Sequence, residues 1–214
     1  MFIVLKLLFS YIKANHLNQK RSFLGNITKN FSYNEFKPKL ADNSWLPNGE
    51  YQKLLIDTLA NNLQIIRNNV PKGVTMKITS GVRTLSDYYR LVEAGYNPSK
   101  TSDHYCGTSV PLKPDDKKYK KFGETYNFAV GAGDIVSTGM KIWDLFKLSY
   151  RLVKEGMCDF GQVIYEKNNN GKEWIHYGNS LKGLFSKTII DFIARDKFMK
   201  SIDGGKTYTV VNSI

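Results

Sequence analysis

Two of the three histidines in this chain lie in segments suited to binding a metal ion. His104 lies in the polar stretch Ser-Asp-His-Tyr-Cys-Gly, and His176 ends the segment Glu-Trp-Ile-His. Asp134 lies between them in the sequence, directly after the small residues 131–133. Two imidazoles and one carboxylate form a ligand set that holds zinc and leaves one coordination position open for water. These three residues therefore predict a catalytic metal site.

Hydrolysis at such a site requires two further groups, and the sequence offers a candidate for each. A carboxylate must take the proton of the attacking water, and Glu173 is the candidate. A cation must stabilise the negative charge that develops on the carbonyl oxygen, and Arg83 is the candidate. A regular strand would place Glu173 and His176 on opposite faces, so this assignment requires a bend near His176. With that bend, the pattern indicates a metallohydrolase.

The elements that must position these residues follow from the hydrophobic pattern. Apolar residues at helical spacing predict an amphipathic helix over 50–70, and Asn168–Gly171 predicts a turn between two strands. Helices are predicted over 50–70, 84–94, 139–155 and 184–193, strands over 74–78, 126–136, 160–165 and 174–177, and a hairpin over 198–211. This mixed order predicts an α+β fold. We expect an extension or docking segment over 1–30, the main domain over 31–196 and a hairpin or tail over 197–214.

Composition limits the partners and the redox chemistry. The net charge of +12 favours an anionic partner such as nucleic acid, anionic lipid or a cell-wall polymer. No basic run with interleaved aromatic residues is present, so we expect no specific nucleic-acid partner. The two cysteines, Cys106 and Cys158, form neither a disulfide framework nor a four-sulfur zinc site. Cys106 lies two residues from His104 and is an alternative metal ligand.

The N-terminal residues 1–12 are apolar except at Lys6, Ser10 and Tyr11. This segment is too short and too interrupted to span a membrane, and we expect no transmembrane segment. It also lacks the basic start of a signal peptide. A docking helix, on this protein or on a partner, is the preferred interpretation, and an uncleaved export signal is the alternative.

Three motifs in order resemble those of the zinc D,D-peptidases. Ser80-Gly81-Val82-Arg83-Thr84 is similar to the family's Ser-Gly-x-Arg-Ser/Thr segment. Ser102, His104 and Gly107 match Ser-x-His-x-x-Gly, and Glu173 to His176 matches the closing Glu/Asp-x-x-His. The family contains D-Ala-D-Ala carboxypeptidases and dipeptidases, and phage L-alanyl-D-glutamate endopeptidases. The resemblance covers about residues 31–177 and implies a Hedgehog/DD-peptidase-like fold with an antiparallel sheet flanked by helices.

The resemblance also implies residue roles. Zn²⁺ would be held by His104, Asp134 and His176, with Glu173 as the base and Arg83 polarising the scissile carbonyl. The side chains that it places near the metal or in the substrate groove are Ser102, Gln162 and Tyr165.

One position departs from the family pattern. The family places its ligand Asp seven residues after the first His, where this chain has Pro111, which cannot bind a metal. The role therefore passes to Asp134, after an insertion over 109–130. Asp115 and Asp116 are rivals, but their charged, proline-flanked surroundings indicate an exposed loop.

The leading functional hypothesis is a zinc peptidase that cuts peptidoglycan stem peptides, as a phage endolysin or a virion-associated wall hydrolase. Its location would be the virion, or the host cytoplasm before lysis. The alternative is a non-catalytic phage structural or binding protein on the same scaffold, since a fold does not determine function. In either case, the N-terminal segment would dock against other virion proteins. The cleaved bond is left open between D-Ala-D-Ala, L-Ala-D-Glu and others.

Overall fold

The structure, a computed structural model, describes residues 26–193 and 196–214. A β-sheet forms its framework. The strands of the described residues are β1 Thr75–Ser80, β2 Val110–Pro111, β3 Thr125–Tyr126, β4 Ala132–Thr138, β5 Phe160–Lys167, β6 Glu173–Asn179, β7 Phe198–Ser201 and β8 Thr209–Val210. Six of these strands form one sheet in the order β1-β4-β6-β5-β7-β8, and β2 pairs with β3 in a second sheet. Every pairing is antiparallel except that of β5 with β7.

Helices flank this sheet. Those of the described residues are α1 Tyr33–Phe36, α2 Gly49–Asn69, α3 Leu85–Glu93, α4 Tyr119–Phe122, α5 Ile142–Lys154 and α6 Lys187–Ile193, with a 3-10 turn at Asp103–Tyr105. α3 begins at a capping box, in which the Thr84 hydroxyl accepts from the Asp87 amide and the Asp87 carboxylate accepts from the Thr84 amide. The predicted α+β class, an antiparallel sheet flanked by helices, is confirmed in this coarse form.

The main core lies between the sheet and the helices α2 and α5. Leu55, Leu59, Leu63 and Ile66 follow one another at helical spacing along α2, and all are buried. They pack in one cluster with side chains of β4, β5 and β6 and with Phe146 of α5. Burial of this continuous apolar stripe is what fixes α2 against the sheet.

The hairpin of β5 and β6 sets the register that matters most for the site. Its turn is closed by Asn168, whose side-chain oxygen accepts from the amides of Asn170 (3.0 Å) and Lys172 (2.9 Å). Antiparallel pairing then places Ile164 opposite His176, and the register shifts only near Phe160. Side chains therefore alternate regularly between the two faces of the sheet from Gln162 onwards.

The predicted insertion over 109–130 folds as a small unit beside the main sheet. It contains β2, α4 and β3, and it has its own apolar cluster of Tyr105, Val110, Leu112, Tyr126 and Ala129. The stretch 126–136, predicted as one strand, is divided between β3 and β4 by residues 127–131. A separate small core explains how the insertion is accommodated without disturbing the sheet that carries Asp134.

The chain ends differ in what the structure describes. The hairpin predicted over 198–211 is present as β7 and β8, and it extends the main sheet because β7 pairs with β5. Residues 1–25, which hold the predicted docking helix, lie outside the described residues, so that prediction and the domain bounds stay predictions. Within residues 26–193 and 196–214, no helix has the length and apolar character needed to cross a bilayer.

Candidate metal centre

Neighbouring strands bring two of the three predicted ligands together. Asp134 on β4 lies directly opposite His176 on β6, so both side chains project from the same face of the sheet. The 3-10 turn adds His104 above them. Oδ1 of Asp134 lies 3.1 Å from Nε2 of His104 and 3.1 Å from Nδ1 of His176. The potential ligand atoms lie within 4.8 Å of one another, so this His–Asp–His cluster could hold a metal ion.

The His104 ring is oriented by the backbone of the strand end beside it. Its Nδ1 lies 2.6 Å from the carbonyl oxygen of Gly81. A carbonyl only accepts hydrogen bonds, so Nδ1 carries the proton and Nε2 presents its lone pair to the centre. Metal-binding histidines are typically oriented in this way by a partner on their other ring nitrogen.

The Ser80–Thr84 segment forms a tight junction between α1, β1 and this turn. A Cβ on Gly81 would overlap the backbone of Phe36, so only glycine fits. The amide of Val82 donates to the Phe36 carbonyl (2.7 Å), and the amide of Arg83 donates to the His104 carbonyl (2.8 Å). The motif recognised in the sequence therefore holds His104 in place through its backbone, in addition to supplying the Arg83 side chain.

The charges in the cluster favour a bound cation. Burial lowers the pKa of His104, and the positive charge of Arg83 acts in the same direction, against the opposing charge of Asp134. Burial alone would raise the pKa of Asp134, but the charges and hydrogen bonds of the two histidines hold it well below its ordinary value. A protonated His104 donates from Nε2 to the Asp134 carboxylate 3.1 Å away. When His104 loses that proton, its Nε2 lone pair faces the carboxylate, and a cation would be attracted to both groups.

His176 behaves differently from His104. Burial would lower its pKa, but the hydrogen bond and the charge of Asp134 outweigh that effect and raise it. Its Nδ1–H can donate to Asp134 when no cation is bound. Cation binding at the cluster must therefore displace a proton from His176, as is usual for histidine ligands.

A cleft of about 780 Å³ opens onto the cluster. Besides the three predicted ligands, three other predicted site residues line it, namely Arg83, Ser102 and Gln162. Ser102 caps the 3-10 turn, since its hydroxyl accepts from the His104 amide (3.4 Å). The basic residues along the walls are Lys37, Lys39, Arg83, Arg90, Lys118 and Lys121. These six basic residues outnumber the acidic residues of the lining, Asp87, Asp103, Asp134 and Glu166, so the walls carry a small excess of positive charge.

Glu173 and Tyr165 lie on the face of the sheet opposite the His–Asp–His cluster. β6 continues regularly through both Glu173 and His176, without the bend that the sequence interpretation required. Glu173 therefore shares the opposite face with the buried Ile175, and its carboxylate lies 3.1 Å from Lys167 Nζ. Tyr165 packs edge-on against Trp143 on that face and is hydrogen-bonded to Glu173. Neither side chain lines the cleft.

Glu166 is one of the carboxylates that line the cleft, and the sequence interpretation did not include it. It lies two residues after Ile164, which is opposite His176, so its side chain projects from the ligand face. Burial and the nearby charge of Asp134 raise its pKa to about 7, while the charges of His176 and Arg83 oppose that rise. The sequence contained a signal for this position, because alternate residues of a strand share one face. A strand that directs Gln162 into the cleft therefore also directs Glu166 there.

The rival ligands lie elsewhere. The Asp116 carboxylate is 3.0 Å from Lys100 Nζ and accepts from the Lys113 amide, which fits the loop predicted from its sequence. Asp115 is exposed. The Cys106 thiol is buried beside the Gln52 carbonyl, and burial raises its pKa far above the ordinary value. In the described part of the chain, the cluster that could hold a metal contains none of these three.

Comparisons with protein-family models, with curated proteins and with solved structures gave no match to this chain.

Proposed function

We propose that this protein is a zinc-dependent peptidase that hydrolyses amide bonds in peptidoglycan stem peptides, on a Hedgehog/DD-peptidase-like fold. The observation that carries the proposal is that the His–Asp–His cluster lies in one cleft with a carboxylate of raised pKa and an arginine. The three sequence motifs add the substrate class, because they resemble those of peptidases that act on the bacterial wall.

The donor atoms of the cluster suit zinc. Two imidazole nitrogens and one carboxylate oxygen make the three-ligand set of catalytic zinc sites, which leaves a position for water or substrate. When bound, zinc would lower the pKa of water and polarise the substrate carbonyl. The Gly81 carbonyl would keep the His104 ring in the ligating orientation, as it does in the structure.

Glu166 takes the role of general base in this proposal, in place of Glu173. A base must be close to the water that it deprotonates, and its pKa should lie near the working pH. Glu166 lines the cleft on the same face as His176, and its pKa is about 7. Its carboxylate would accept the proton of the attacking water and then pass it to the leaving amine. Glu173 is occupied by Lys167 on the other face.

Arg83 and the basic walls would bind the substrate. Arg83 adjoins His104, since its amide donates to the His104 carbonyl (2.8 Å), and its side chain lines the same cleft as the cluster. It would stabilise the negative charge that develops on the scissile carbonyl oxygen. The lysines and arginines of the cleft would attract the carboxylates of wall peptides. The setting that fits this substrate is a phage virion or the host cytoplasm before lysis.

The test combines metal content with peptide release from purified sacculi. We expect about one zinc per chain and release of peptides that a chelator abolishes. Mass spectrometry of the products would distinguish D-Ala-D-Ala cleavage from L-Ala-D-Glu cleavage. Asp134→Ala should lose the metal and the activity. Asp116→Ala is the matched control, since Asp116 is the rival ligand that lies outside the cluster. Zinc binding without hydrolysis of any wall preparation would favour the non-catalytic alternative.

A further inference from the structure

The loop between β7 and β8 forms a wall of the cleft whose function the metal centre does not explain. Gly204, Gly205 and Tyr208 of this loop line the cleft together with Glu166. The sheet order places this loop on the β5 side of the cluster, whereas Arg83 follows β1 at the other edge. The two sides of the metal position are therefore lined by different elements.

The loop is held rigidly. The Asp203 carboxylate accepts from the amides of Lys206 (3.1 Å) and Thr207 (3.0 Å) and from the Ser201 hydroxyl (2.9 Å). The Gly205 amide donates to the buried Ser201 oxygen (3.0 Å). The Gly204 amide donates to the Lys167 carbonyl (3.0 Å), which ties the loop to the end of β5. The backbone that carries Tyr208 is therefore fixed, and it lies close to the proposed base, Glu166.

The position of the Tyr208 hydroxyl follows from its contact with Gly205. A Cβ on Gly205 would lie 2.9 Å from Tyr208 Oη and 3.5 Å from Glu166 Oε2. The two oxygens therefore lie within about 6.4 Å of each other, the sum of those distances. A substrate that occupies the cleft beside Glu166 is therefore within reach of the Tyr208 hydroxyl.

The Tyr208 hydroxyl is an uncommitted donor. It makes no hydrogen bond to any residue within 26–193 and 196–214. The residue as a whole is 47% exposed. Burial of the hydroxyl end and the charges of Glu166, Asp134 and Asp203 raise its pKa, so it keeps its proton. The acceptor for this donor must come from a ligand or from solvent.

We propose that Tyr208 is a substrate-binding residue, whose phenol donates a hydrogen bond to a substrate oxygen on the Glu166 side of the metal position. This inference rests on the proposed function. An amide substrate would then be held between Arg83 on one side and Tyr208 on the other. Because Arg83 already serves the scissile carbonyl oxygen, the Tyr208 acceptor is a different oxygen, which is present before and during the reaction. Such a contact contributes to binding rather than to the chemical step.

The experiment measures binding of acetohydroxamate to the cobalt(II)-loaded protein through the visible absorption of the metal. This probe presents two oxygens at the metal, so one can reach each side of the cleft. Tyr208→Phe should raise the Kd roughly 5- to 10-fold, the effect of losing one hydrogen bond. The control is Tyr89→Phe, which should leave the Kd unchanged. Tyr89 is a tyrosine of α3 with similar exposure, and it does not line the cleft.

The outcomes separate the two proposals. Equal Kd values for the wild type and Tyr208→Phe would overturn the role of Tyr208 but would not contradict the proposed metal centre. Failure to take up cobalt would overturn the proposed function and, with it, this inference. With a cleavable stem peptide, Tyr208→Phe should raise KM with kcat within about twofold of the wild type. A fall in kcat at unchanged KM would contradict the binding role.

Discussion

The two faces of the central sheet use the same strands for different purposes. On one face, Asp134 and His176 meet at the open cleft together with Glu166. On the other face, Ile135 and Ile175 are fully buried under α2 and α5. Successive residues of one strand therefore belong in turn to the candidate metal centre and to the hydrophobic core. The comparison predicts that neighbouring substitutions will separate activity from folding.

The largest expected effect compares two carboxylates on opposite faces. Glu166→Gln should lower kcat on wall peptides about 10²- to 10⁴-fold, the usual contribution of a positioned base. Glu173→Gln should leave kcat nearly unchanged, because Glu173 contacts Lys167 and Tyr165 away from the cleft. Both substitutions are isosteric, and zinc content provides the control for folding. A large loss in Glu173→Gln with little loss in Glu166→Gln would restore the base role inferred from the sequence motif.

The next comparison uses adjacent residues of β6. Ile175→Ala should reduce the free energy of unfolding by about 2–5 kcal/mol, since it removes a fully buried side chain. It should retain zinc affinity at temperatures where the protein is folded. His176→Ala should weaken zinc binding by more than ~100-fold, because loss of even an outer partner of a ligand costs up to that much. Chemical unfolding of the metal-free proteins and zinc titration measure the two effects.

Equal losses of stability in these two variants would contradict the division between the faces. The metal-free protein is the correct state for the unfolding measurement, because zinc binding itself would stabilise the wild type over His176→Ala.

Most of the candidate metal centre could be predicted from the sequence. The two residues that lie away from the cleft, Glu173 and Tyr165, do so for one physical reason. The two histidines of the cluster could be predicted because the chain has only three histidines, and Asp134 followed from its small-residue, strand-like surroundings. The roles of Glu173 and Tyr165 were taken from the resemblance, and the role of Glu173 required a bend near His176 to overcome the period of two that a strand imposes. β6 pairs regularly with β5 through Glu173 and His176, so Trp174 shares the face of His176 and Glu173 lies on the other.

Other features depend on contacts that a local pattern does not contain. Nothing in the sequence near Gly205 or Tyr208 indicates that the β7–β8 loop reaches Glu166, because β7 pairs with β5 in parallel across a long connection. The insertion over 109–130 was recognised, but its small core requires Tyr105, which precedes it in the sequence. The structural description begins at residue 26, and the docking helix is predicted within residues 1–12, so the docking prediction stays a prediction.

A smaller effect concerns pH and the metal-free protein. Burial raises the pKa of Glu166 from 4.5 to about 7, so the folded state binds a proton more tightly than the unfolded chain does. Stability is therefore lost as the pH rises from about 4.5 to about 7, and at about 1.4 kcal/mol per pH unit the loss is at most ~3.5 kcal/mol. Glu166→Gln should escape this loss and be more stable than the wild type at pH 8.

Urea unfolding of the wild type and Glu166→Gln in a chelator, between pH 5 and 8, measures this difference. The other titrating groups of the cluster are common to both proteins, so the difference isolates Glu166. Parallel stability curves across this range would show that the Glu166 pKa is ordinary. Zinc should reverse the effect, because a nearby cation favours the ionised carboxylate.

The smallest effect belongs to a polar contact on the helix-covered face. Tyr177 is fully buried, and its hydroxyl lies 2.6 Å from the Ser149 hydroxyl of α5. Tyr177→Phe should reduce the free energy of unfolding by only ~1 kcal/mol, since Ser149 still donates to the Leu145 carbonyl and no donor is stranded. Zinc affinity and kcat should stay at the wild-type values although Tyr177 adjoins the ligand His176. A change in zinc affinity in this variant would show that the two faces are coupled through the β6 backbone, and that the independence expected from strand alternation does not hold at the metal centre.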